Sequence, residues 1–346
     1  MNTSKLLGAS LLAAALIAPF PSLALVGGAG VAPNSASSPW SGVGSLSVGG
    51  NLFTGTLIAP GYVLTAAHVM TGANASDVSF EVNAGSSYSV AASQIYINPD
   101  YTASTAGNAP GDPTVHNDLA IIRLADAVGT NIPFYSLYTG SLQGADLNFV
   151  SFAGSTSVKK TGENIADVVL SNAAGTNQTY LFDFDGPDLS TNRLGANISA
   201  NGTLGANREA SLVNGDSGSA AFVYVNGQWQ LAGINTFEVT FASGPTTSGA
   251  YGTGGGGIAL AGYSQWISSV IAAPVPEPES WALLLVGLVG MVPLIQRKKG
   301  TPWTPQNSSS SPVARAKARS IANSPQWPPN WQRLREWQSR QSTCAL

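Results

Sequence analysis

Ser217 stands between glycines in Asn-Gly-Asp-Ser-Gly-Ser-Ala, residues 214–220, just ahead of an apolar run. Glycine leaves backbone N–H groups free to converge on one point, and it lets the chain turn where a Cβ would clash. A serine oxygen beside converging donors suits acyl transfer. The oxygen attacks a carbonyl, and the donors hold the negative charge that develops. A serine hydroxyl alone is a weak nucleophile, so a base must stand beside it and a third group must orient that base. The chain has two histidines. His68 ends the apolar stretch 63–67, and Asp118 opens the near-continuous apolar run 119–124. His116 lies two residues before Asp118 but closes a polar loop rich in Gly, Pro and Thr. His68 follows a buried strand and is the better base.

The order His68, Asp118, Ser217 is one of three unrelated chain orders known for a nucleophile–base–acid triad. Three motifs carry it: Thr-Ala-Ala-His at 65–68, Asn-Asp-Leu-Ala-Ile-Ile-Arg-Leu at 117–124 and Gly-Asp-Ser-Gly at 215–218. Together, in this order, they resemble the trypsin/chymotrypsin-like serine endopeptidases, over residues 25–273. The spacings are slightly longer than that family usually has. The resemblance implies an all-β fold of two six-stranded antiparallel β-barrels closed by a C-terminal helix, with the triad between the barrels. It implies protein or peptide substrates, no cofactor and no metal. It assigns the oxyanion hole to the N–H groups of Gly215 and Ser217. It sets Ser211 at the floor of the primary pocket, with Thr236, Phe237 and Glu238 lining the groove. A serine at the floor brings no charge, which favours apolar or aromatic side chains; Glu238 could instead recruit a basic side chain or block the pocket.

The family also releases an Ile/Val-Val-Gly-Gly terminus whose amine pairs with the aspartate before the nucleophile, here Asp216. Residues 25–28 read Leu-Val-Gly-Gly. They follow Lys5, an apolar stretch over 6–20 and Ser22-Leu23-Ala24, the pattern of a secretory signal peptide with a small-x-Ala cleavage site. Cleavage after Ala24 by signal peptidase would then create the activating terminus at Leu25, with no separate propeptide.

Composition fits an exported β-protein. Charged residues are 10% of the chain and glycines number 39. Cys344 is the only cysteine, so no intramolecular disulfide can form. Thr54 and Val69 stand where the family usually carries a cysteine pair around its histidine. Between residues 25 and 273 there are five basic residues and fifteen acidic ones. A body this acidic argues against nucleic acid as a partner.

The read-out continues past the body. Val275-Pro276-Glu277-Pro278 precedes an apolar segment over 281–295 and the cluster Arg297-Lys298-Lys299. This resembles the PEP-CTERM sorting signal of Gram-negative bacteria. It implies a short sorting helix at 274–300, transient anchoring in the inner membrane and release by an exosortase-type enzyme to the envelope or exterior. A plain membrane anchor is the other reading. Residues 301–346 lack periodicity and read as a disordered tail with no assigned role.

Within the body, alternating apolar runs predict strands at 43–48, 52–58, 62–64, 78–82, 88–92, 94–97, 119–124, 147–152, 166–170, 221–225 and 228–234, and a helix at 263–271. Asp183, Asp185 and Asp188 alternate as calcium ligands sometimes do, but they complete no EF-hand loop. They read instead as a solvated acidic turn. The competing class for the whole chain is a non-catalytic envelope or matrix-binding protein that kept the fold.

Overall fold

The computed structural model describes residues 24–102, 117–152, 158–171, 176–194, 202–205 and 207–273. The leader up to residue 23, His116, the sorting segment 274–300 and the tail 301–346 lie outside them. Among the described residues no helix is long and apolar enough to cross a membrane. Among the described residues, those up to Trp266 cluster as one unit and Ile267–Ala273 fall to another.

The first half of the fold is a closed barrel. Its strands are β3 (Val43–Val48), β4 (Asn51–Ala59), β5 (Tyr62–Thr65), β6 (Val78–Asn83), β7 (Ser87–Ile97) and β8 (Ala120–Leu124), in the order β3-β4-β5-β8-β7-β6. The barrel interior is filled by Leu46, Leu57, Val63, Phe80, Val82 and Ile122, all essentially inaccessible to solvent. Burying such side chains gains roughly 1.5–3 kcal/mol each, so a barrel without disulfides is sustained by packing. The two strands expected at 88–92 and 94–97 are one strand, β7, with a register shift between Ala92 and Gln94.

The second half differs from the expected six-stranded barrel. Among the described residues its hydrogen bonds make an eight-stranded antiparallel sheet. The order is β11 (Val168–Ser171), β12 (Asn177–Asp183), β16 (Thr253–Ala259), β15 (Gln228–Thr240), β14 (Ala220–Val225), β9 (Asp146–Ser151), β10 (Lys159–Ile165) and β2 (Gly30–Ala32). At one edge β2 pairs antiparallel with β10. A separate two-stranded ribbon joins β1 (Val26–Gly27) to β13 (Ala210–Ser211). Leu25, Leu147, Phe149, Tyr180, Phe182, Leu212, Ala221 and Val223 form this half's core. The chain continues into α2 (Ser264–Ala272), near the expected helix.

The alternating aspartates are not a solvated turn. Asp183 and Asp185 are buried, together with Asp167 and Glu209; of the group, Asp188 instead caps a short helical turn by accepting the Ser190 N–H. Asp183 accepts the N–H groups of Arg193 and Leu194. Glu209 accepts those of Asp185 and Leu204 at 2.7 and 2.8 Å. For Asp183 and Glu209 the local backbone thus supplies donors in place of those lost on leaving water. Among the described residues no cluster suits a metal ion.

Burial pushes Asp167 far above the usual carboxylate range, and the neighbouring Asp183 adds to it. Burial raises Asp183 and Asp185 likewise, and it raises Glu209 to about 7. Groups raised above their unfolded values stabilise the fold below the unfolded pKa, and that contribution is lost as pH climbs through the folded pKa. The melting temperature is therefore expected to fall between about pH 4 and pH 7 and beyond on account of these groups. Asp167→Asn mimics the protonated acid. It should raise the melting temperature at pH 8 by a few degrees, a scale of about 1 kcal/mol, and flatten the pH profile. Calorimetry at pH 5 and pH 8 checks both; an unchanged slope in the variant contradicts the account.

Candidate active site

The antiparallel pairing of β5 with β8 sets Thr65 opposite Ala120. The chain leaving β5 and the chain entering β8 therefore meet at one end of the barrel. His68 lies three residues past Thr65, in the single helical turn α1 (Ala67–Met70), and Asp118 lies two residues before Ala120. Ala66 and Ala67 are completely buried, so only small side chains fit where the turn tucks against the barrel. His68 itself remains open to solvent.

Asp118 holds the histidine twice. Its Oδ1 accepts the His68 backbone N–H at 2.8 Å, and its Oδ2 lies 2.7 Å from Nδ1. Asn117 fixes the entry into β8. Its φ is +68°, a left-handed conformation that asparagine tolerates better than most residues. The Tyr263 hydroxyl donates to Asn117 Oδ1 at 2.9 Å and accepts the Asn117 N–H at 3.0 Å.

Ser217 comes from the other half, on the loop before β14. Its Oγ is 2.8 Å from His68 Nε2. The line Asp118–His68–Ser217 is thus continuous within hydrogen-bond reach, the geometry a general base needs to take a proton from a hydroxyl. Gly215 and Gly218 have φ of +99° and +82°. A Cβ at Gly218 would stand 2.2 Å from Thr65 Oγ1 and 2.4 Å from the Thr54 carbonyl oxygen. Only glycine lets the nucleophile loop lie this close to the first barrel. Among the described residues the N–H groups of Gly215 and Ser217 donate to no protein acceptor.

Asp216 is buried behind the nucleophile. Its Oδ2 accepts the N–H groups of Val213 at 2.8 Å and Leu25 at 3.2 Å, and its Oδ1 accepts the Ser151 hydroxyl at 2.5 Å. Burial raises its pKa to about 6, against the lowering effect of these three donors. Ser151 Oγ is also 3.3 Å from Thr54 Oγ1, which accepts the Phe152 N–H at 2.9 Å. Thr54, at the position where the resembling family carries a cysteine, belongs to a hydrogen-bonded link between the halves.

A cleft of about 130 Å³ adjoins the serine, lined by residues 212–217 and 235–238. Thr236, Phe237 and Glu238 are therefore on its wall. Ser211 is not. It is buried in β13 opposite Val26, and its hydroxyl has no hydrogen-bond partner. Leu212, Val213 and Asn214, which follow it, line the cleft. Glu238 sits exposed at the rim and accepts the Ser248 hydroxyl.

Ser151 and Tyr263 carry no expectation in the sequence, and Asn117 enters it only as the first residue of its motif. The only signal was composition: asparagine at a turn before a buried strand, and polar residues inside otherwise apolar runs. The triad, by contrast, is legible in its motifs, and the structure brings all three side chains together.

No curated protein sequence matched this chain. The sequence profile of the trypsin family matches residues 25–267, most of the chain and all of the elements that build the site. The chain belongs to the trypsin family and is a serine-type endopeptidase, a hydrolase of protein and peptide substrates.

Proposed function

We propose that Ser217 is the nucleophile, His68 its general base and Asp118 the group that holds the imidazole tautomer. The carrying observation is the unbroken line of contacts at 2.7 and 2.8 Å from carboxylate to imidazole to hydroxyl. His68 takes the Ser217 proton as Oγ attacks the scissile carbonyl. The tetrahedral oxyanion is held by the N–H groups of Gly215 and Ser217, each worth roughly 3 kcal/mol. His68 then protonates the leaving amine, and water releases the acyl group by the reverse sequence. An activated ester should give a burst of leaving group equal to the enzyme concentration, then a slower steady state. A linear trace from time zero under rapid mixing contradicts the acyl-enzyme.

The uncharged Ser211, six residues before the nucleophile, supports a preference for apolar or aromatic side chains at the cleavage point; the cleft beside the serine mixes Leu212, Val213 and Phe237 with Asn214, Asn235, Thr236 and Glu238. Apolar pockets separate similar side chains by only about 10- to 200-fold, so the preference is graded.

Export and maturation belong to the same reading. Residues 1–24 act as the signal peptide, 25–273 as the enzyme, 274–300 as the sorting and transiently membrane-anchored segment, and 301–346 as a tail. Signal peptidase and an exosortase-type enzyme are the processing partners, and the product acts in the envelope or outside the cell. Two observations support Leu25 as the mature terminus. Its nitrogen already lies 3.2 Å from the Asp216 carboxylate. Its φ is +35°, an uncommon conformation for leucine. Cutting the 24–25 bond removes that constraint and turns a neutral donor into an ammonium, the cation a buried carboxylate calls for. N-terminal sequencing of the active secreted enzyme should read Leu-Val-Gly-Gly. Active enzyme beginning elsewhere contradicts this step and leaves the triad untouched.

A further inference from the structure

Asn235 is completely buried on β15, at the point where the pairing with β16 shifts register. Its carbonyl accepts the Gly218 N–H at 2.9 Å, and its own N–H donates to the Ser219 carbonyl at 2.8 Å. Its side chain adds a third tie, Nδ2 donating to Ser219 Oγ at 2.9 Å. The two residues that follow Ser217 are thus fastened to one asparagine. Its remaining side-chain atom, Oδ1, accepts the Tyr180 hydroxyl at 2.6 Å.

Tyr180 belongs to β12, and β16 lies between it and β15. The register sets Tyr180 opposite Gly257, and Gly257 opposite Asn235, so the three form one row across the sheet. A Cβ at Gly257 would stand 2.7 Å from the Tyr180 hydroxyl and 2.1 Å from the Ile234 carbonyl oxygen. The bare middle strand is what lets the phenol reach across it. Gly233 makes the same allowance on the other side, where a Cβ would meet the tyrosine ring at 2.4 Å. Burial raises the phenol's pKa well above its ordinary value, which keeps the hydroxyl a donor.

We propose that Tyr180 and Asn235 are positioning residues for the Ser217 nucleophile, acting through the Gly218–Ser219 backbone. The inference rests on Ser217 being that nucleophile. Neither side chain reaches the reacting atoms. The hydroxyl fixes which end of the amide faces it, and so directs the NH₂ group at Ser219. Without the hydroxyl, Oδ1 is buried without a donor, which is costly and is relieved by turning the amide. The loop then loses its fixed place, and a displacement of about 1 Å at a reacting group can cost about 100-fold in rate.

The test measures kcat, KM and melting temperature for Y180F, N235A and the double variant, each in the full chain, with the wild type and S217A alongside. Y180F removes one oxygen and keeps the ring. It should lower kcat by about tenfold with KM within about twofold of wild type, since positioning acts on the transition state. N235A should lose more, and the double variant no more than N235A, because the phenol works through the amide. A folded Y180F enzyme with wild-type kcat overturns the inference, even with a reduced melting temperature. Additive losses in the double variant also overturn it. Should N235A not fold, Y180F alone decides. A wild type without turnover, or an active S217A, overturns the nucleophile reading and this inference with it. An active wild type with an unimpaired Y180F overturns this inference alone.

Discussion

Replacing Ser217 by alanine is expected to lower kcat by roughly six orders of magnitude, a loss as great as removing the whole triad. The size follows from the chemistry. Without Oγ there is no acyl-enzyme, and His68 has no hydroxyl from which to take a proton. The residual rate comes from substrate positioning and the Gly215 and Ser217 N–H groups alone, which survive the substitution. The fold should be indifferent. The Ser217 side chain contacts the rest of the protein through its bond to His68, and Ser217 is only partly buried. Circular dichroism and melting temperature should match the wild type within error, while KM stays near its original value. Turnover above a thousandth of wild type in a contaminant-free preparation would contradict the assignment.

Asp118→Asn is expected to lower kcat by about 10⁴-fold near neutral pH while changing the structure little. The reason lies in the two oxygens. Oδ1 accepts a backbone N–H and Oδ2 faces Nδ1. An asparagine must keep its oxygen toward the backbone N–H, which leaves its NH₂ group facing Nδ1. The imidazole then carries its proton on Nε2, pointing at Ser217, and has no lone pair there to receive another. Steady-state kinetics and near-ultraviolet dichroism check the result. A variant with kcat within tenfold of wild type would mean that the carboxylate does not set the tautomer.

The parts of the site that could be read in the sequence are those in which one residue type does the chemistry. His68, Asp118 and Ser217 are legible because each follows or precedes an apolar strand with a characteristic flank. The first barrel is legible for the same reason, since its strands carry apolar side chains in regular runs. The second half was harder. Residues 254–257 are all glycine and look like a loop, yet they are the centre of β16. Their side chains are missing because Tyr180, Phe182 and Phe237 from neighbouring strands occupy the space. The strand is defined by its neighbours' volume, which no local pattern records. Strand β12, Asn-Gln-Thr-Tyr-Leu-Phe-Asp, hid within a polar region for a similar reason. The aspartates at 183 and 185 read as a solvated turn, yet both are buried. Acidic residues spaced by two signal solvent, and for Asp183 the backbone N–H groups of Arg193 and Leu194 stand in for part of it. The pocket floor expected at Ser211 depended on resemblance alone; Ser211 is buried in β13, next to Leu212, which lines the cleft.

The account turns on Ser217 being made nucleophilic by His68. A fluorophosphonate reacts only with an activated serine, so its adduct reads that property without choosing a substrate. Wild-type enzyme should take up one equivalent, located on Ser217 by mass spectrometry of the peptide, and His68→Ala should label at least a thousandfold more slowly. No adduct on Ser217 in folded wild-type protein, or equal labelling of the His68→Ala variant, would contradict it.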